Sequence, residues 1–284
     1  MDQQNISAWI GREEIRTGHL GPELAAMLHA TLGHLGRCAP EAGDALPPLW
    51  HWCAFPPTAG MSELGADGHP KLGGFLPPVR LDRRMWAGGA LTFHAPLHVG
   101  EPLVRRSSIR SVTEKDGAAG PMVLVTLDHE IISSDGLAVS EQQDIVYLQI
   151  PDRFVPPRKL PAPEEVDLDE CVPITETLLF RYSAVTFNAH RIHYDLPYAA
   201  GVEHYPGLVV HGPLQASLLI QAATRHHGNA PRSFRFRGIH PMFHFEDLRL
   251  LGVEEGPDTL ALCTASPAGH QGLQATATWE DATT

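Results

Sequence analysis

The sequence predicts an α+β fold made of two similar halves, each an antiparallel sheet wrapped around a helix. Three observations carry that reading. The stretch 151–171 holds five prolines and nine charged residues without apolar periodicity, so it reads as an extended, solvated connector. On each side of it the chain opens on a helical or loop-rich region and continues as a run of strands. A short echo, Phe93-His94 against Phe243-His244, precedes turns and strands in both parts, although two matched residues leave duplication open. The expected units are therefore 1–150, the connector 151–171, and 172–284.

In the first unit, residues 22–35 carry apolar side chains at Leu24, Met27, Leu28, Leu32 and Leu35, a helical stripe. Strands are expected at 90–94, 102–112, 121–133 and 137–150. The last two alternate apolar and polar residues, and Asp135-Gly136 between them suits a hairpin turn. In the second unit, 178–187 reads as an approach strand or loop. The strongest helix is 214–227, with Leu214, Leu218, Leu219, Ala222 and Ala223 on one face. Pro213 suits its first turn and Gly228 its C-cap. Strands follow near 233–237, 245–253, 258–265 and 272–279.

Composition removes several function classes. Of 284 residues, 43% are hydrophobic and 19% charged, which is globular rather than disordered. Lys plus Arg is 21 against 33 for Asp plus Glu, a net charge of −12, and no basic block exists, so neither nucleic acid nor an anionic membrane is an expected partner. No apolar run reaches the ~18 residues of a membrane span, and the first residues lack a basic-then-apolar signal pattern. The expected location is cytoplasmic. Cys38, Cys53, Cys171 and Cys263 are scattered with no C-x-x-C pair, so neither a disulfide framework nor a zinc site follows. Histidine is the outlier at 17 residues, which favours acid–base chemistry or metal binding.

The stretch 181–215 concentrates the chemistry. Asn188, His190, His193 and Asp195 crowd polar, proton-handling groups into eight residues. After an apolar loop, His211-Gly212-Pro213 opens the helix, where backbone N–H groups lack intrahelical partners and sit at its positive end. Pro213 has no N–H, which leaves Gly212 and Leu214 as donors. A histidine that moves a proton, an amide that holds water and a helix N-terminus that takes oxyanion charge suit the addition of water to a double bond conjugated to a carbonyl. Asp195 is an alternative partner for His193. The spacing His190-x-x-His193-x-Asp195 is too weak a pattern for a metal site, and no metal or cofactor is expected. Arg235 and Arg237 alternate along an expected strand and share one face, either to meet phosphates or simply to face solvent. Trp50, Trp52 and Trp86 read as core or pocket wall.

The run N-A-H-R-I-H at 188–193, followed by H-G-P at 211–213, resembles the (R)-specific enoyl-CoA hydratase signature of MaoC-like hot-dog proteins, D-x-N-P-[LIV]-H. In that resemblance His193 falls on the catalytic histidine, and Gly212 on the glycine whose N–H binds the thioester carbonyl. Asn188 stands where the family has its catalytic Asp, a replacement shared by the two-domain branch. Trp50-His51-Trp52, Leu64-Gly65-Ala66-Asp67-Gly68-His69, Gly73-Gly74-Phe75-Leu76-Pro77-Pro78 and Arg84-Met85-Trp86-Ala87-Gly88-Gly89 are similar to the degenerate half of that branch. The branch includes mitochondrial-type 3-hydroxyacyl-thioester dehydratases and mesaconyl-C4-CoA or itaconyl-CoA hydratases.

The resemblance implies a double hot-dog, with two long helices each wrapped by a sheet and the halves paired as a pseudo-dimer. Catalytic residues would lie in the second half only, and the first would wall the acyl pocket. The implied activity is reversible hydration of a 2-enoyl thioester, foremost a small branched dicarboxylyl-CoA giving citramalyl-CoA. A buried substrate carboxylate needs a cation, and in a chain with three lysines Arg84 or Arg191 must serve, with Trp86 and Arg235 as further substrate contacts. The alternatives are a 3-hydroxyacyl-acyl-carrier-protein dehydratase and a non-catalytic acyl-thioester-binding subunit. The implied partners are an acyl-CoA or a carrier protein, and the implied assembly is a homodimer.

Overall fold

The computed structural model describes residues 5–33, 38–117 and 120–280. In the first half, β1 (Glu13–Gly18) and α1 (Pro22–Leu32) are followed by β2 (Arg83–Phe93), β3 (Leu103–Gly117), β4 (Gly120–Ser133) and β5 (Gly136–Leu148). The second half repeats the plan with β6 (Leu168–Val172), α2 (Glu176–Val185), α3 (Leu196–Gly201), α4 (Gly212–His227), β7 (Ser233–Gly238), β8 (Leu248–Glu254), β9 (Thr259–Ala265) and β10 (Gln271–Thr278). All ten strands join one antiparallel sheet in the order β1-β3-β4-β5-β2-β7-β10-β9-β8-β6.

Read outward from the centre, both halves have one strand order: second, fifth, fourth, third, first. The halves meet through their second strands, β2 against β7, in the register Gly88↔Arg237 to Thr92↔Ser233. Duplication is therefore visible in topology. It is not carried by the Phe-His echo, because Phe93 closes β2 while Phe243 lies in a turn. The structural counterpart of Phe243 is His98. Each makes an isolated bridge, His98 to Ala45 and Phe243 to Val209, and each stands five residues before its next strand.

The expected symmetry of two long central helices is broken. α4 keeps its sixteen residues and buries ten in succession, Leu214 through Ala223, with Gly228 closing it in the left-handed conformation. At the equivalent place the first half has only a 3₁₀ turn, Trp50–Ala54. The cause is local: Pro47-Pro48 precede this turn and Pro56-Pro57 follow it, and proline tolerates neither an interior helical N–H bond nor the preceding turn's carbonyl. The expected helix 22–35 is α1, which ends at Leu32 with Gly33 as cap; Leu35 lies outside the described residues. α1 packs beside α2 rather than at the centre of a sheet.

Other expectations shift as well. The segment 178–187 is the helix α2 rather than a strand or loop. Thr175 caps it by accepting from the Leu178 N–H, and Leu179, Tyr182 and Ser183 are buried at helical spacing. β2 begins seven residues before the expected 90. The connector 151–171 ends inside β6, and it is partly packed: Phe154 rests on Tyr205 and Phe243, while Ala162 and Val166 cover Leu251 and Cys263. The hairpin at Asp135-Gly136 is present, with Ser133 paired to Gly136.

With no central helix in the first half, the inner face of its sheet is left for a cleft. Its floor is polar. Glu141 is buried and accepts from Trp52 Nε1 at 2.8 Å and Gln143 Nε2 at 2.7 Å, with His51 Nε2 at 3.1 Å. At the seam, Gly88 and Gly89 let backbone approach backbone rather than a ligand. A Cβ on Gly88 would stand 2.6 Å from the Phe236 carbonyl oxygen. Trp86 bends back to donate to the Gly88 carbonyl at 2.8 Å, and its ring packs edge-on against Trp52 and Phe236.

Candidate active site

One cleft of ≈ 2380 Å³ runs between the halves, and Asn188, His190, His193, Gly212, Arg84 and Trp86 all line it. The segment carrying the first three of these begins where α2 ends. Phe187 takes a left-handed turn at φ 52, and the Asn188 N–H returns to the Ser183 carbonyl at 2.8 Å. The Asn188 side chain then accepts from the His190 N–H at 3.0 Å, an Asx turn that fixes its oxygen. Its Nδ2 meets no acceptor among the described residues and belongs to the cleft wall.

His193 sits in the 3₁₀ turn Arg191–His193 and is buried. Its Nδ1 lies 2.7 Å from the Val209 carbonyl oxygen. A carbonyl only accepts, so Nδ1 carries the proton and Nε2 is left as a base. The ring stacks on His211 with centroids 3.6 Å apart. His211 in turn has Nε2 at 2.8 Å from Ser183 Oγ and precedes Gly212, the first residue of α4. Burial pushes His193 well below the usual histidine range, helped by the His211 and His190 charges, and burial holds His211 at about 3. Both rings are neutral near pH 7. The Gly212 N–H has no backbone partner, and a Cβ there would meet nothing closer than the Trp86 carbonyl at 3.8 Å.

Several expected contacts fall elsewhere. Asp195 does not orient His193; it caps α3 by accepting from the Tyr198 N–H at 3.1 Å and binds Arg191 Nε at 2.9 Å. Arg191 is correspondingly spent: its Nη1 donates to the Ala66 carbonyl at 3.0 Å and its guanidinium lies 4.2 Å over the Tyr198 ring. It also lines the cleft, but its guanidinium is engaged there in stapling the loop 64–70 to the second half. Arg235 is exposed on the face of β7 opposite Phe234 and Phe236 and does not line the cleft, because the strand alternation that pairs it with Arg237 turns both outward. Arg84 remains. It lines the cleft beside Tyr147 and makes no ion pair among the described residues.

Arg84 and Trp86 reach the cleft from the first half as expected, and the motif Leu64–His69 brings further residues to which the sequence assigned no role in the site. The Leu64 and Pro70 bridge closes a small loop whose backbone is held by Arg191 N–H to Asp67 O at 2.9 Å. Gly68 has φ +90, and a Cβ there would stand 1.8 Å from the Ala189 carbonyl oxygen, so only glycine brings the loop this close. The loop delivers His69, whose ring centroid is 4.1 Å from that of His190. Asp67 takes two bonds from this residue, from the His69 N–H at 3.0 Å and from Nδ1 at 2.7 Å. Burial lowers His69 to about 3, and Asp67 is held at about 2: burial alone would raise it, but the bonds from His69 prevail. A second tie comes from β2. Arg83 Nε binds Glu203 Oε2 at 2.9 Å, and Glu203 Oε1 faces His190 Nε2 at 3.3 Å. The sequence signals of this arrangement are the Asp-Gly turn at 67–68, the histidine after it and the likeness of Leu64–His69 to the first half of the two-domain branch. Asp67, His69 and His190 are close enough to hold a cation, yet Asp67 is already engaged twice by His69.

Residues 49–244 match the family model "Hydroxyacyl-thioester dehydratase type 2". The chain is 45% identical over 284 residues to "Mesaconyl-C(4)-CoA hydratase" of Chloroflexus aurantiacus, covering 97% of this chain and 98% of that one. Among solved structures, a MaoC-like dehydratase from Phytophthora capsici superposes with a TM-score of 0.73 at 13% identity, covering 99% of this chain and 98% of that one. A Mycobacterium tuberculosis protein described as a double hotdog superposes with 0.61 at 16% identity, covering 95% and 96%. The fold is thus a double hot-dog. Among the described residues no helix is long and apolar enough to cross a membrane.

The neutral histidines give stability a pH dependence. His69, His129, His193 and His211 all bind protons less readily when folded than the ordinary value of 6.5. Their contribution is complete above that value and is lost as pH falls below it, because the unfolded chain then takes up protons that the folded one refuses. The Asp67 effect has the opposite origin and is lost only below its ordinary value near 3.8. The melting temperature is therefore expected to fall steadily from about pH 6.5 to pH 4; a flat profile there would contradict neutral burial.

Proposed function

The chain belongs to the hydroxyacyl-thioester dehydratase type 2 family and is a hydro-lyase, and from that premise we propose that it reversibly hydrates a small branched dicarboxylyl-CoA. Mesaconyl-C4-CoA or itaconyl-CoA would give citramalyl-CoA. The observation that carries this reading is the 45% identity, over 97% of the chain, to a mesaconyl-C(4)-CoA hydratase. A cleft arginine without a carboxylate partner, Arg84, agrees with a substrate bearing a free carboxylate. Membership in an enzyme family removes the non-catalytic subunit from consideration. Dehydration of a carrier-bound 3-hydroxyacyl chain is the second reading, favoured by the name of the family itself.

The residues divide the work as follows. The thioester carbonyl lies at the N-terminus of α4, where the Gly212 N–H donates to it and stabilises the charge that gathers on oxygen as water adds. His193 Nε2 takes a proton from the attacking water while the new C–O bond forms at the β-carbon. The imidazolium then returns that proton to the α-carbon as the enolate collapses, so the ring ends as it began. Asn188 has no proton to exchange and positions the water through Nδ2. Trp86 closes the acyl pocket beside Gly212. The enzyme acts in the cytoplasm as a homodimer and needs no cofactor.

Two measurements check this. His193→Ala is expected to lower kcat by ~10²–10⁴, the usual range for a lone acid–base group; retention of more than about a tenth of kcat would remove His193 from the chemistry. The native enzyme is expected to prefer mesaconyl-C4-CoA to crotonyl-CoA in kcat/KM, and Arg84→Met to erase that preference. Equal kcat/KM for the two substrates in the native enzyme would reject the dicarboxylate reading in favour of the fatty-acyl one.

A further inference from the structure

The first half brings more to the cleft than a wall. Asp67 and His69 form a dyad of the kind that makes a histidine a directed acceptor: the carboxylate holds Nδ1 at 2.7 Å, which leaves Nε2 without a proton. Nε2 is not among the buried side-chain atoms left without a partner, and the residue lines the same cleft as His193. Both rings pack against His190, whose centroid lies 4.1 Å from that of His69 and 5.3 Å from that of His193. The placement is costly to build. It requires the left-handed Gly68 against Ala189, the Arg191 staple to Ala66 and the backbone bond to Asp67. Together these contacts hold His69 where it is.

Hydration makes a demand that His193 and Asn188 do not meet between them. An attacking water has two O–H bonds and two lone pairs. One lone pair must point at the β-carbon, one O–H must point at the base, and Asn188 Nδ2 can donate to the remaining lone pair. The second O–H still needs an acceptor, and an unheld water rotates away from the attacking geometry. The Asn188 oxygen already accepts from the His190 N–H, so holding this water through both ends of the amide would have to spend the oxygen's second lone pair as well.

We propose that the Asp67–His69 dyad of the first half is the second acceptor for the attacking water, so that the catalytic site is assembled from both halves of the chain. His69 Nε2 accepts the O–H that is retained in the product hydroxyl; the other proton goes to His193 and then to the α-carbon, so the balance is unchanged. Asp67 acts through His69 as a positioning residue by fixing its tautomer. The inference rests on the hydration reading but not on the identity of the acyl group.

The test is steady-state kinetics on mesaconyl-C4-CoA and crotonyl-CoA with full-length protein. His69→Ala is expected to lower kcat about tenfold or more on whichever of the two the native enzyme hydrates, with KM changed less than about threefold, because the water is held chiefly in the transition state. Asp67→Asn, which keeps the shape of the loop, is expected to lower kcat about threefold or more in the same manner. His69→Gln, which keeps an acceptor oxygen, is expected to recover about fivefold or more of the kcat lost in His69→Ala, and His69→Leu, of similar bulk without an acceptor, to recover less than about twofold. A purely structural role for His69 predicts equal recovery by the two. Unchanged kcat in both His69→Ala and Asp67→Asn, a loss confined to KM on the dicarboxylyl substrate, or equal recovery by His69→Gln and His69→Leu would each overturn the proposal. A native enzyme that hydrates neither thioester would overturn the hydration reading itself, an outcome distinct from an active native enzyme with an indifferent His69.

Discussion

The bond from His193 Nδ1–H to the Val209 carbonyl, 2.7 Å long, sets the terms for everything around it. It assigns the ring's single proton to the side facing the protein and leaves Nε2 facing the cleft. The arrangement holds only while the ring stays neutral, and the neighbourhood enforces that. The stack on His211, the edge contact with His190 and near-complete burial each disfavour a resident positive charge. Val209 is itself fixed, since its N–H returns to the Ile192 carbonyl at 2.9 Å, which links the histidine turn to the segment entering α4. The His193 turn and the start of α4 at Gly212 are therefore tied into one short unit.

That unit is kept in place by the other half of the chain. Four prolines reduce the first half's central helix to a 3₁₀ turn, which opens the space a helix would have filled. The loop 64–70 lines the cleft and packs on the histidine turn. Arg83 reaches from β2 to Glu203, which is almost completely buried, and Glu203 meets His190. A buried carboxylate left alone would cost several kcal/mol, so the arginine and the histidine must accompany it. The asymmetry of the two halves is what lets one half support the chemistry of the other.

The α4 helix was legible because leucine and alanine spacing, Pro213 and Gly228 all pointed one way, as did the alternating strands around Asp135-Gly136. His193, Asn188 and Gly212 were legible because they lie close together in sequence. What lay beyond reach depended on distant segments meeting. Nothing local shows that Arg191 would be consumed by Asp195 and Ala66, since both partners are ordinary residues whose positions come from the fold. For Arg235 the sequence left two readings open, because alternation establishes that two residues share a face without establishing which face is inward. α2 was missed because its polar caps and mixed face obscure the period that burial of Leu179, Tyr182 and Ser183 reveals. The loss of the first half's long helix was written in Pro47-Pro48 and Pro56-Pro57, but the apolar stripe of α1 offered a competing place for a central helix.

The proposed chemistry needs a neutral His193 that carries its proton on Nδ1. Nitrogen-15 spectra of the histidine side chains in the folded protein, with His193 assigned by comparison with His193→Gln, read this state directly. The account predicts a neutral ring, protonated on Nδ1 and bare on Nε2, that persists to about pH 6, below the ordinary histidine midpoint. An imidazolium at that pH, or a neutral ring with its proton on Nε2, would contradict it.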